Sequence, residues 1–110
     1  MTPAEVQILL GTLDHTRNSL GWVVVVSPNE AAMMQVRRVL SAAVGKTELF
    51  SGRTATLKHG GRLSSVAVTE QPFLPEGRAF SVLFLGHWGD VPKEKVAAWE
   101  TAASGVLSRG

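Results

Sequence analysis

Three observations predict a small layered α/β fold. Two runs, Trp22-Val23-Val24-Val25-Val26 and Phe80-Ser81-Val82-Leu83-Phe84-Leu85, are apolar almost throughout, which is the composition of strands covered on both faces. Each run leads into a segment whose apolar residues recur at helical spacing, and this order favours parallel strands in one sheet. Between them, residues 48–68 lose the helical period and read as a β-ribbon or meander of short segments. The expected architecture is one domain over residues 1–110, with strands 22–26 and 80–85 buried, a ribbon at 48–68 and three flanking helices.

The elements follow in order. Thr2-Pro3-Ala4-Glu5 supplies a capping hydroxyl, a proline for the first helical position and a glutamate three residues after the threonine; Val6, Leu9, Leu10 and Leu13 then fall at helical spacing. This predicts a helix from residue 3 to about 17, stopped by Asn18-Ser19-Leu20-Gly21. After the valine run, Ser27-Pro28-Asn29 breaks the strand and caps a second helix, with Met33, Val36, Val39, Leu40 and Ala43 on one side, Arg37 and Arg38 off that stripe, and Gly45 at its end. The ribbon divides into Glu48 to Ser51, Arg53 to Leu57 and Arg62 to Val68, and Ser64-Ser65 interrupts the alternation of the last segment. Residues 69–79, with Pro72, Pro75 and Gly77, read as a surface loop. After the second buried strand, Gly86-His87-Trp88-Gly89 reads as a tight turn and Asp90 as a cap. The final helix is expected to turn Val96, Trp99, Ala103, Val106 and Leu107 inward, with Lys93, Glu94, Lys95 and Glu100 outside.

Composition narrows the function classes. A chain of 110 residues with 45% hydrophobic and 18% charged residues has room for one packed core and is not a disordered segment. The net charge is +2, divided evenly between the halves, so no tail or half acts as a strong polyelectrolyte. Without cysteine there is no disulfide scaffold, thiol catalysis or thiolate metal site, which fits a reducing cytoplasm. The longest apolar run is too short to span a membrane and Met1-Thr2-Pro3-Ala4-Glu5 lacks a basic region before an apolar one, so a cytoplasmic protein is expected.

Strong chemical motifs are missing. Gly45-Lys46-Thr47 repeats the end of a phosphate-binding loop, but the position five residues before Gly45 is Leu40 rather than glycine, and a helix precedes where a strand is needed. A glycine at a helix C-terminus accounts for it. His15, His59 and His87 lack a second ligand at metal-site spacing, so neither metal nor cofactor is expected. No serine sits in a Gly-x-Ser-x-Gly elbow.

Three groups remain as candidates. Trp88 in its glycine-flanked turn, with Phe73 and Leu74 in the proline-bounded loop, would be anchors for a protein partner or, equally, part of the domain's own core. Lys46, Arg53, Lys58 and Arg62 make residues 46–62 the most basic stretch, at +3, and would contact nucleic-acid phosphates or else shield an edge strand. His87 and Asp90 follow the second buried strand, where open α/β sheets collect ligands, and would form a small-ligand or enzyme site.

The succession Leu20-Gly21-Trp22-Val23-Val24-Val25-Val26-Ser27-Pro28-Asn29, followed by a helix with Gln35 and Arg37-Arg38, resembles the second strand and next helix of the ATPase domain in phage large-terminase subunits. Gly77-Arg78-Ala79-Phe80-Ser81-Val82-Leu83-Phe84-Leu85 resembles the glycine-arginine turn and apolar strand leading to the acidic Walker B end of that family, and Val91-Pro92 the segment after it. The resemblance implies the sheet of a P-loop motor. Its departures imply lost chemistry, since the phosphate-binding loop would lie before Met1 and the acidic pair is replaced by Gly86-His87. Phosphoryl transfer then has no source of electrostatic stabilisation. The leading expectation is a non-catalytic, phage-derived module that binds a protein partner, including a second copy of itself; nucleic-acid binding and a ligand site at His87 and Asp90 are the alternatives.

Overall fold

The computed structural model describes residues 1–72 and 79–109. Its elements are α1 (Pro3–Arg17), β1 (Trp22–Ser27), α2 (Glu30–Ala43), β2 (Leu49–Ser51), β3 (Thr54–Thr56), β4 (Arg62–Ala67), β5 (Ser81–Phe84), α3 (Lys93–Ala102) and β6 (Gly105–Arg109). The strands form one six-stranded sheet in the order β2-β3-β4-β1-β5-β6. β4, β1, β5 and β6 run parallel, while β3 pairs antiparallel to both β2 and β4. The expected α/β class is therefore the observed one, with the two apolar runs parallel and adjacent at the centre. No helix among the described residues is long and apolar enough to cross a membrane.

Local chemistry explains the boundaries. α1 begins with a full capping box: the Thr2 hydroxyl accepts from the Glu5 N–H at 3.2 Å and the Glu5 carboxylate accepts from the Thr2 N–H at 2.8 Å. Asn29 caps α2 by accepting from the Ala32 N–H at 2.9 Å. Gly61, before β4, lies against the end of α1, and a Cβ there would stand 2.3 Å from the Thr16 carbonyl oxygen and 2.6 Å from that of Ser19. Glycine is what permits this approach.

Side-chain alternation divides the core between two faces. Leu9 and Leu13 of α1 and Val36 and Leu40 of α2 pack on Val23, Val25, Leu63, Leu83 and Leu85. On the other face Trp99 of α3 packs with Val24, Val26, Val66, Val82 and Phe84. The first face is locked by Glu48, whose side chain is only 1% exposed. Its two oxygens accept from Arg17 Nε at 2.7 Å and a terminal Arg17 nitrogen at 2.9 Å, and from the Gly45 and Lys58 N–H groups at 2.8 and 3.3 Å. The Arg17 guanidinium, helped by these amides, holds the carboxyl down at about 2.

The expected ribbon or meander is present as β2-β3-β4, antiparallel throughout, and its last strand also pairs parallel with β1, so that Ser64 and Ser65 are fully buried. Burial is tolerated because the Ser64 hydroxyl accepts from Trp22 Nε1 at 2.9 Å and shares a 2.8 Å hydrogen bond with the Thr54 hydroxyl, while Ser65 donates to the Met33 carbonyl at 3.5 Å. Two expectations, the extent of the final helix and the role of Asp90, need correction. The final helix stops at Ala102, and Val106 and Leu107 belong to β6 rather than to its inner face. Ser104-Gly105 is a poor helix continuation, and the Ser104 N–H bonds the Phe80 carbonyl at 2.8 Å, which steers the chain onto the edge of β5. Asp90 does not cap α3, because the cap position is Pro92, without a side-chain hydrogen bond. Proline fixes the backbone at the turn into the helix without one.

Candidate functional site

The four parallel strands end at the same side of the sheet, and their connections part there. The chain leaves β1 into α2 over one face and leaves β5 into α3 over the other, so a crevice opens between the ends of β1 and β5. Its volume is 290 Å³, and Glu5, Pro28, Asn29, Gln35, Gly86 and His87 are among its walls. Gly86 has φ +121°, and a Cβ would stand 2.8 Å from Pro28 Cδ, so the crevice floor requires glycine. The Glu5 carboxyl is held below its usual range first by the Thr2 N–H it accepts, with a smaller contribution from the charge of His87. His87 thus reaches the crevice expected from its position after the strand. Asp90 is exposed and lies outside the crevice walls, so the two groups are not brought together.

A larger cleft of 580 Å³ lies on the opposite face, between the end of β5 and α3. Phe84, Trp88 and Val91 line it, together with Lys93, Val96, Ala97 and Glu100 of α3. Trp88 meets Phe84 edge to face, with centroids 5.4 Å apart and ring planes at 89°. The contrast with Trp99 is informative. Trp99 is fully buried and its Nε1 donates to the Val68 carbonyl at 3.3 Å, whereas Trp88 is half-buried and its Nε1, itself shielded from solvent, has no hydrogen-bond partner among the described residues. Trp88 therefore packs on the core and also walls an open cleft. Phe73 and Leu74 lie outside the described residues.

The basic candidates are spread along the ribbon. Arg53 sits in the β2–β3 turn, where its guanidinium meets Glu70 at 3.2 Å and its carbonyl accepts from Ser65. Arg62 is at the opposite end of β4, with its guanidinium carbon 4.9 Å from the centre of the Trp22 ring. Lys58 lies in the turn before β4 and Lys46 between α2 and β2, both exposed. Three residues of extended strand separate Arg62 from Ser65, about 10 Å, so Arg53 does not share a cluster with Lys58 and Arg62.

Sequence reading missed Lys93, Val96, Ala97 and Glu100 as a group. Their spacing of three, four and seven marks one face of a helix; Val96 packs against the core as its inner-face spacing predicts, and nothing in the spacing shows that a cleft opens beside it. No protein-family model matches the chain, and no curated protein or solved structure matches it.

Proposed function

We propose that the protein is a non-catalytic, cytoplasmic interaction module that binds a protein partner through the α3 cleft, on a sheet retained from a phage terminase-like motor without its phosphate chemistry. The observation that carries this reading is the cleft itself, an open, mainly apolar trough of 580 Å³ with an indole in its wall and Lys93 and Glu100 among its lining residues. Apolar floors with a tryptophan and a charged rim are the anatomy of protein contact surfaces. The reading is favoured over catalysis because His87 and Asp90, the titratable pair beside the sheet switch point, do not converge. It is favoured over phosphate tracking because Arg53 and Arg62 already engage Glu70 and Trp22 at opposite ends of β4.

The test is capture from bacterial lysate with the tagged chain and its Trp88→Ala variant, with and without nuclease. A protein retained by the wild type in both arms and lost with Trp88→Ala, at a melting temperature that shows the variant folded, is the expected result. Identical capture by the variant would remove the cleft from the argument, and a signal lost with nuclease would transfer it to the basic residues.

A further inference from the structure

We infer that the free edge of β2, with the groove beside it under α2, takes up an extended acidic segment of a partner protein as a further strand of the sheet. Two observations coincide there. β2 is the last strand on its side of the sheet and pairs only with β3, so among the described residues its outer edge carries backbone groups that no strand takes up. Beside that edge lies a groove of 430 Å³, with Met34, Arg37, Arg38 and Ser41 of α2 and Phe50 and Gly52 of the hairpin among its lining residues. Phe50 packs in part on the core between the sheet and the α1/α2 pair, so β2 turns it to that face and, by alternation, turns Leu49 and Ser51 to the other. An added strand therefore lays every second side chain over the groove and the rest beside Leu49, which is 64% exposed. Insertion of an extended peptide at a sheet edge draws affinity from main-chain hydrogen bonds and specificity from alternate side chains.

The chemistry of the groove selects the occupant. Two guanidinium groups line it and no carboxylate does. Arg37 is held in place by donating to the Ser65 carbonyl at 2.9 Å, whereas Arg38 is exposed and makes no hydrogen bond or ion pair among the described residues, so its charge is available to a partner. Met34, 44% exposed, and the uncovered part of Phe50 supply apolar ground beside that charge. The fit is to a chain that alternates apolar side chains with Asp or Glu. A nucleic-acid strand fits less well, because it lacks evenly spaced amides for the edge and one available guanidinium falls short of the row of cations that tracks phosphates. The opposite edge of the sheet is a poorer template, since the pairing of β6 with β5 slips between Val106 and Ser108 and a bulged edge resists further pairing. β2 contains no lysine, proline or bulge, and only its three-residue length limits the added ladder.

Selection of short random peptides displayed on phage against the full chain tests the inference. The enriched peptides are expected to alternate apolar residues with Asp or Glu, and a synthetic copy of one should shift backbone amide resonances of the isotope-labelled chain at residues 48–52 and along α2 from Met34 to Ala42. Arg38→Glu, a change on the exposed side of α2, is expected to weaken that peptide about fivefold or more. Methylating the peptide's backbone nitrogens one at a time separates strand addition from side-chain binding. Nitrogens that face β2 should lose about tenfold in affinity and those one residue along should be spared, because a strand turns alternate amides to its neighbour. No enrichment over a blank support, enriched peptides without acidic residues, equal affinity for Arg38→Glu, shifts confined to the α3 cleft, or methylation effects without that alternation would each overturn the inference. Shifts at Arg38 with a single-stranded oligonucleotide and with none of the selected peptides would also overturn it and assign the groove to phosphates. Arg38 and β2 lie outside the α3 cleft, so the Trp88→Ala capture decides the earlier reading separately.

Discussion

On one face of the sheet, helices of 15 and 14 residues cover Val23, Val25, Leu63 and Leu83, while on the other a single helix of 10 residues covers Val24, Val26, Val82 and Phe84. The strands are common to both faces and supply alternate residues to each, so the strands do not cause the difference. It comes from the connections: α1 and α2 both fall on the first face and are tied together through Arg17 and Glu48, whereas α3 lies alone on the second. Apolar strand residues need cover on both sides, and because the short helix buries one side chain fully, Trp99, the cover of Phe84 at the end of β5 is completed by the half-buried ring of Trp88. The cleft opens beside that ring. A closed face serves stability, and an incompletely covered one leaves apolar surface for binding.

The largest effect that tests this contrast is at the two tryptophans of the second face. Trp99→Ala empties a fully buried site and removes the hydrogen bond to Val68, and is expected to cost about 3–5 kcal/mol in urea unfolding. Trp88→Ala removes a half-exposed ring and is expected to cost about 1 kcal/mol. Equal losses at both positions would mean that the cleft belongs to the core and would break the comparison.

Next in size is the acid response of the closed face. Glu48 is held near 2 in the folded chain, against an ordinary carboxyl value of 4.5, so its ion pair contributes fully above 4.5 and is lost as the pH falls towards 2. The expected loss between neutral pH and the bottom of that window is about 2–3 kcal/mol. Unfolding free energy measured against pH checks it, and Glu48→Gln should flatten the curve while lowering stability at neutral pH. A wild-type curve matching that of Glu48→Gln would show that the face is closed by packing alone.

Much of this architecture is legible in the residues, and the illegible parts have physical causes. The valine run and Phe80–Leu85 announce central strands because only two-sided burial tolerates so many consecutive apolar groups. Thr2-Pro3-Ala4-Glu5 announces a helix start because its capping bonds are local. Arg62–Ala67 is legible as a strand but not as a central one, since Ser64 and Ser65 are acceptable there only through Trp22, Thr54 and Met33, partners distant in sequence. Val106 and Leu107 fit a helix stripe by spacing, and only the vacant edge of β5 turns them into a strand. The cleft was missed for the same reason: Val96 is apolar at a core-like spacing, and whether it faces a floor or a gap depends on how much neighbouring structure covers it. Arg17 and Glu48 are 31 residues apart, beyond what pattern alone connects.

The smallest effects set two buried serines against each other, one on each face. Ser64 lies on the α3 side, where Trp22 Nε1 donates to it and Thr54 shares its hydroxyl. Ser64→Ala leaves a partly buried indole N–H and a threonine hydroxyl without that partner, and is expected to destabilise by about 1–2 kcal/mol. Ser27 has the strand parity of Val23 and Val25, which places it on the α1/α2 side, and it is fully buried with no hydrogen-bond partner for its hydroxyl among the described residues. Ser27→Ala removes a desolvated polar atom and retains the Cβ, so it should raise stability by up to about 1 kcal/mol. Opposite signs in paired urea titrations would show that the closed face carries a polar cost that its cover leaves unmet. A loss at Ser27 as large as that at Ser64 would mean that its hydroxyl is satisfied in solution, and the two faces would then differ in cover but not in polar satisfaction.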